Sequence, residues 1–166
     1  EIMFSRMPVI TGTGIICAAG CGASAVWENI RQGRSGLRPL TLFSSARYGK
    51  HLVGEVQEDV DRLAGAIRGS RSDKLAWIAA RQALQEAGLS KLNATQEKRA
   101  AVVIGATVGG MRRTERTLEA LLIGKRHRFG ALRFHECASS ADLCARMSGM
   151  RGPCATVSTA CSAGAM

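Results

Sequence analysis

Aromatic residues are scarce in this sequence: one Tyr, two Trp and four Phe among 166 residues, 4% in all. The core must therefore be built from aliphatic side chains, Ala and close glycine contacts, and a chain of this length can bury such a core as one domain. The same scarcity weighs against nucleic acid. Single-strand binders stack bases on aromatic platforms, which are few here, and no nucleic-acid recognition motif is present. Acidic residues are also few: 13 Asp and Glu stand against 23 Lys and Arg, a formal charge of +10. Such an excess favours an acidic partner, although stretches such as Lys74 to Glu86 mix both signs and read as solvated helix faces. No apolar run is long enough to span a bilayer. Near the start, Arg6, an apolar stretch and Ala18-Ala19-Gly20-Cys21 imitate a secretion signal ending at a lipid-modified cysteine. Thr11-Gly12-Thr13-Gly14 interrupts that stretch, and the expected location is the cytoplasm.

Several site types are missing as well. Gly12-Thr13-Gly14 follows an apolar run, but Cys17 stands at the third glycine position of a dinucleotide fingerprint. A tight turn needing small residues is the simpler reading, and no phosphate loop ending in Gly-Lys-Ser/Thr occurs. Cys17 and Cys21 lack a second pair at ligand spacing, and His127 and His135 are too loosely placed to complete a zinc site. Six cysteines suit reduced thiols in a cytoplasm better than a disulfide scaffold, because a chain of this size folds without staples. Neither a repeat nor a low-complexity segment is present.

What remains alternates strand and helix. Pro8 to Thr11 reads as a buried strand, followed by a helix from the N-cap candidate Ser24 to Arg31, closed by Gly33 and Gly36. Leu52 to Val56 predicts a short strand. Ser72 is the expected cap of a helix whose apolar positions Leu75, Ile78, Ala79, Ala83 and Leu84 recur at helical spacing, with Gly88 as its left-handed stop. Ser90 to Arg99 is a polar stretch. Ala100 to Gly105 is Val/Ile-rich and predicts a strand buried on both faces. A Gly-rich bend over Val108 to Met111 leads to a helix over Thr114 to Leu122, then a basic loop over Gly124 to Phe134. Ser139-Ser140-Ala141-Asp142 has a capping-box pattern opening a helix that Gly149 ends. Cys154 to Ser158 forms the last strand. The alternation predicts an α/β domain with a largely parallel sheet.

The most informative segment is Val157-Ser158-Thr159-Ala160-Cys161-Ser162-Ala163-Gly164. A buried strand runs into a cysteine flanked by small residues, at a point where a helix can begin. That is the geometry of a nucleophile elbow: the backbone turns sharply and the small neighbours leave room for a substrate. Free N–H groups and the helix dipole would stabilise a thiolate there, and the same N–H groups can serve as an oxyanion hole. The alternative is a small buried cysteine in a Ser/Ala/Gly-rich turn.

Thr159-Ala160-Cys161-Ser162-Ala163-Gly164, preceded by Gly149-Met150-Arg151-Gly152-Pro153 and a short strand, resembles the nucleophile signature of the beta-ketoacyl-acyl-carrier-protein synthases. Val9 to Gly14 resembles the opening strand and turn of that family. Trp27-Glu28 through Gly33-Arg34-Ser35-Gly36 resembles its first helix and loop, and Ser72-Asp73-Lys74 into Ala87-Gly88-Leu89 resembles its long helix. Val103 to Gly110 resembles the Gly-rich segment that lines the acyl pocket. Ala163 stands where many relatives have Ser, and Glu1 to Met7 matches nothing.

The resemblance implies a thiolase-like α/β fold, with residues 1–166 as its N-terminal half: a mostly parallel sheet with helices on both faces. It implies Cys161 as the acyl-accepting nucleophile, with its backbone N–H as one oxyanion donor. Val108 would border the acyl tunnel, and Arg68, Arg71, Arg126 and Arg128 would dock an acidic acyl carrier protein. No metal or organic cofactor is implied, since the phosphopantetheine arm belongs to the carrier. The full-length enzyme would be a homodimer of fatty acid biosynthesis. Two histidines, a lysine and the second oxyanion N–H would come from a C-terminal half absent here, so the chain alone is expected to be inactive; His51, His127 and His135 do not match those histidines. A polyketide-synthase ketosynthase is the alternative within the same chemistry, although its Cys-Ser-Ser-Ser pattern is not present. A non-catalytic partner or fragment and a basic nucleic-acid-binding module are the alternatives outside it.

Overall fold

The computed structural model describes residues 7–44, 49, 51–125, 130, 132 and 135–165. A short hairpin pairs β1 (Ile16–Cys17) antiparallel with β2 (Gly20–Cys21) and leads into α1 (Ala23–Arg31). The second antiparallel pair joins β3 (Arg38–Pro39) to β4 (Leu52–Val53). Three helices follow: α2 (Val60–Ala64), α3 (Arg71–Glu86) and α4 (Ala94–Arg99). The chain then forms β5 (Val102–Gly105), α5 (Met111–Leu122), α6 (Ser139–Ser148), β6 (Cys154–Val157) and a 3-10 helix over Ala160–Ala165. Among the described residues no helix is long and apolar enough to cross a membrane.

The long helix α3 is the spine. One side packs through Ile78 and Leu75 on Val60, Ala64, Ile16, Cys21 and Val56, joining α2 and the first hairpin to it. The other side packs through Trp77, Ala76 and Ala80 on Leu143 and Cys144 of α6 and on Val102 and Ile104 of β5. With so few aromatics, Trp77 is the one large ring in the core among the described residues, 7% exposed. Its truncation would cost about 3–5 kcal/mol by the usual toll for a buried aromatic.

Local signals put the ends of these helices where they are, with some corrections. The cap of α3 is Ser70, not Ser72: its Oγ accepts from Asp73 N at 3.2 Å while Asp73 Oδ2 accepts from Ser70 N at 2.7 Å. The expected capping box of α6 does not form. Ala138 is its N-cap, and the hydroxyls of Ser139 and Ser140 instead donate to Asp73 Oδ1, at 2.6 and 2.9 Å. A single carboxylate, 1% exposed, thus ties the first turns of two helices together. Gly22 is the N-cap of α1 and makes no side-chain cap, so Ser24 lies inside the helix. Gly88 and Gly149 do act as left-handed stops, with φ of 70° and 76°. α4 lies in the stretch read as merely polar, held by an Asn93–Gln96 capping box.

The strand expectations need two revisions. Residues 8–11 are unpaired, and Val9 and Ile10 are 76% and 86% exposed. No described strand lies beside them. The chain instead runs along α3: a methyl on Gly12 or Gly14 would overlap the carbonyl oxygens of Ala83 and Ala79, so close backbone approach, rather than a turn, explains these glycines. Thr13 secures the contact, donating from both N and Oγ1 to Glu86 Oε2 at 2.6 and 2.7 Å. The second revision concerns β5, which is not covered on both faces. Val102 and Ile104 face α6, whereas Val103 is 65% exposed because no described element covers its side. The architecture is mixed α/β as expected. Its one described parallel ladder is β5–β6, and the two antiparallel pairs were not anticipated.

Candidate active site around Cys161

β5 and β6 run parallel, with Val102 opposite Cys154 and Gly105 opposite Val157. The ladder continues one bond further, Ala106 N donating to Val157 O at 3.0 Å. Both strands therefore release the chain at the same end. There β6 passes through Ser158 and Thr159 to Ala160, which has a φ of 52°. A left-handed conformation costs a residue with a Cβ about 1–2 kcal/mol, so the surroundings must hold it. Thr107, just past β5, does so: its Oγ1 donates to Ala160 O at 2.9 Å. Gly105 supplies the second contact, since any side chain there would overlap the Ala163 carbonyl.

The sharp turn presents Cys161 as an exposed thiol on the first turn of the 3-10 helix. Ala163 is buried beneath it, and Ser162 folds back, its Oγ donating to Thr159 O at 2.9 Å. The Cys161 amide has no acceptor among the described residues. An exposed sulfur beside an uncommitted N–H can attack a carbonyl carbon and receive the developing oxyanion. All six cysteines are free, but their environments differ. Burial, then the Asp73 and Cys154 charges, push the Cys144 thiol up to about 11. Cys154 is raised by partial burial of its sulfur and by the Asp142 carboxylate, whose Oδ1 lies 3.8 Å away.

Val108 is 55% exposed and follows Thr107 directly, which places it beside the elbow. Next to it, Gly109 packs against the carbonyls of His135 and Glu136, and His135 Nδ1 lies 3.0 Å from Thr114 Oγ1 on α5. The first turn of α5 is in turn tied to the loop before α3, Arg113 Nη1 donating to Gly69 O at 2.8 Å. Arg68 and Arg71 flank that loop. Arg68 is exposed, whereas Arg71 is half-buried and donates from Nη2 to Val56 O at 2.9 Å. Arg126 and Arg128 lie outside the described residues. Thr107, Gly105 and Ala160 were not singled out individually by the sequence reading. Gly105 and Thr107 sit in the Gly-rich segment read as pocket lining, and only the fold shows that this segment braces the elbow.

Residues 7–166 match the family profile described as beta-ketoacyl synthase, N-terminal domain. The chain belongs to the beta-ketoacyl synthase family. Its members are condensing enzymes, acyltransferases by reaction class. The chain is 32% identical over 124 residues to the 3-oxoacyl-acyl-carrier-protein synthase 2 of Coxiella burnetii, covering 72% of this chain and 30% of that protein. It is 28% identical over 170 residues to the tetracenomycin polyketide synthase ketoacyl synthase alpha subunit of Streptomyces glaucescens, covering 94% of this chain and 39% of that protein. Among solved structures, the ishigamide ketosynthase/chain length factor superposes with a TM-score of 0.78 at 28% identity, over 91% of this chain and 39% of that one. The fold is thus the N-terminal half of a ketosynthase. The chain spans well under half the length of these relatives.

Proposed function

We propose that Cys161 is the acyl-accepting nucleophile of a beta-ketoacyl-acyl-carrier-protein synthase that acts in the cytoplasm as a homodimer. The observation carrying this reading is the elbow: a left-handed Ala160 projects an exposed thiol beside an amide N–H that has no acceptor among the described residues. The Cys161 sulfur attacks the carbonyl carbon of an acyl thioester on a carrier protein. The C–S bond to the carrier breaks, the carrier thiol leaves with the proton, and the acyl group stays on Cys161 as a thioester. Malonyl-carrier protein then loses CO₂, and the resulting carbanion attacks that thioester, giving a beta-ketoacyl-carrier protein and freeing the Cys161 sulfur. Decarboxylation would draw on histidines that the family resemblance places in the C-terminal half.

Val108 borders the acyl tunnel on this reading, which its position beside Thr107 supports. Arg68, Arg71, Arg126 and Arg128 dock the acidic carrier, and the +10 charge supports a partner of that kind. Fatty acid elongation is the first pathway reading, because Cys161-Ser162-Ala163-Gly164 departs from the Cys-Ser-Ser-Ser pattern of polyketide ketosynthases. Polyketide synthesis is the second, favoured by a polyketide-synthase relative matched over 94% of the chain.

The test is acylation of the full-length protein by acyl-carrier protein, mapped by mass spectrometry. The adduct is expected on Cys161 and absent from Cys161→Ala; acylation at another cysteine, or persisting in Cys161→Ala, would overturn the assignment. Docking is tested with Arg68→Ala/Arg126→Ala/Arg128→Ala, which should slow acylation by the carrier substrate far more than by a small thioester mimic. Equal slowing of both would remove the docking role.

A further inference from the structure

Remote from the elbow in sequence, a half-open cavity of about 250 Å³ lies between the β1–β2 turn, the end of α1 and the loop through residues 34–38. Its framework is fixed by contacts to backbone carbonyls. Asn29 Nδ2 donates to Ala19 O at 2.7 Å, and Arg34 N donates to Asn29 O at 2.9 Å. Gly36 packs so closely on the hairpin that a methyl there would stand 2.5 Å from Ala18 O. Besides Asn29, the polar residues at the wall are Arg34, Ser35, Arg38, Glu58 and Gln57, whose Nε2 donates to Glu55 O at 3.0 Å. Ser35 Oγ accepts from Leu37 N at 3.1 Å, which leaves its hydroxyl proton free to donate. Among the described residues the Arg34 and Arg38 guanidiniums have no hydrogen-bond or ion-pair partner, and the Glu58 carboxylate has none either.

Two unpartnered guanidiniums and a hydroxyl donor against one carboxylate leave this cavity with a net positive wall. Guanidinium forks match phosphate oxygens in a paired geometry. The volume is below the range of about 300–1,000 Å³ for drug-sized ligands, and among the described residues no aromatic side chain lines it to stack a base. We propose that this cavity binds a small phosphate-bearing anion through Arg34, Arg38 and Ser35, with Glu58 as an opposing charge that weakens the site. The proposal does not depend on the role of Cys161.

The test is a titration of the full chain with inorganic phosphate, followed by phosphorus-31 linewidth at constant ionic strength set with chloride, so that general screening does not change. Saturable binding is expected, about tenfold weaker in Arg34→Ala and again in Arg38→Ala, since each removes a charge-assisted contact. Glu58→Gln should bind several-fold more tightly. That variant keeps the proposal open to refutation if an arginine variant fails to fold. Displacement of phosphate by glycerol 3-phosphate would assign the site to phosphate esters, and its failure to compete would assign it to free phosphate. Broadening that does not saturate, that is equal in wild type and the arginine variants, or that is unchanged in Glu58→Gln would mean an adventitious ion only and would overturn the proposal.

Discussion

Replacing Gly105 by Ala tests whether β5 positions the Cys161 elbow. The added methyl would overlap the Ala163 oxygen and stand 2.5 Å from the Ala163 carbonyl carbon and 2.9 Å from Gly164 Cα, where ordinary contact begins at 3.4 Å. These are backbone atoms and cannot rotate away. The elbow must move by about 1 Å or more, since the nearest atom, the Ala163 oxygen, would stand 2.0 Å from the methyl and ordinary contact begins at 3.4 Å. Overpacking of this kind costs about 1–3 kcal/mol. A displacement near 1 Å at a reacting group lowers rates by about 10²-fold. The expected result in the full-length protein is therefore a modest fall in the urea midpoint and about a hundredfold slower acylation of Cys161. Gly164→Ala is the matched control, because no described residue lies within 4 Å of a methyl there. It should leave both readings unchanged. Wild-type acylation and midpoint in Gly105→Ala would refute the bracing role of β5.

Three further outcomes follow from the same contacts. In native protein at pH 9, iodoacetamide should label Cys161 and spare Cys144, whose thiol burial holds at about 11; equal labelling by mass spectrometry would show that α6 opens readily. Asp73→Ala should lose about 3 kcal/mol or more in chemical denaturation, since it strands the Ser70 N–H and the Ser139 and Ser140 hydroxyls at about 1 kcal/mol or more each; a loss under 1 kcal/mol would remove its linking role. The Thr41 hydroxyl, followed by the Thr41 N–H, holds the Glu55 carboxyl below its ordinary value of 4.5. The stability this adds is full above that value and is lost as pH falls through the lowered one. The stability gap between wild type and Thr41→Val should therefore shrink on acidification below pH 4.5; a gap that stays constant or widens would contradict the assignment.

The sequence made some of this legible for clear physical reasons. Gly88 and Gly149 were readable as stops because only a residue without a Cβ enters the left-handed region cheaply, and both do so. The elbow was readable because a short apolar strand ran into small residues around one cysteine. The exposure of Ile10 and Val103 was not, because an apolar residue records that burial is favourable and not whether a neighbour is present. α4 has no buried residue, so periodicity had nothing to detect. Its Asn93–Gln96 box was present in the letters, and that signal alone could have placed it. The destination of Ser139 and Ser140 was hidden for a different reason. Their hydroxyls choose between a local amide and a carboxylate 66 or 67 residues away, and only tertiary packing brings that competitor within reach.

The parallel pairing of β5 with β6 also has a kinetic side. Val102 meets Cys154 across 51 residues of intervening chain that include α5 and α6. Parallel ladders of this separation form slowly, because loop-closure entropy must be met before the first contact repays it. α3 and its Gly88 stop are local and can form early, whereas Ala160 can be held left-handed only once Thr107 and Gly105 have arrived beside it. The bent presentation of the Cys161 sulfur is thus a late product of folding. A nascent or partly unfolded chain carries that cysteine as an ordinary thiol in an unbraced segment, and its appearance as a distinctively reactive group would report that the crossover has closed.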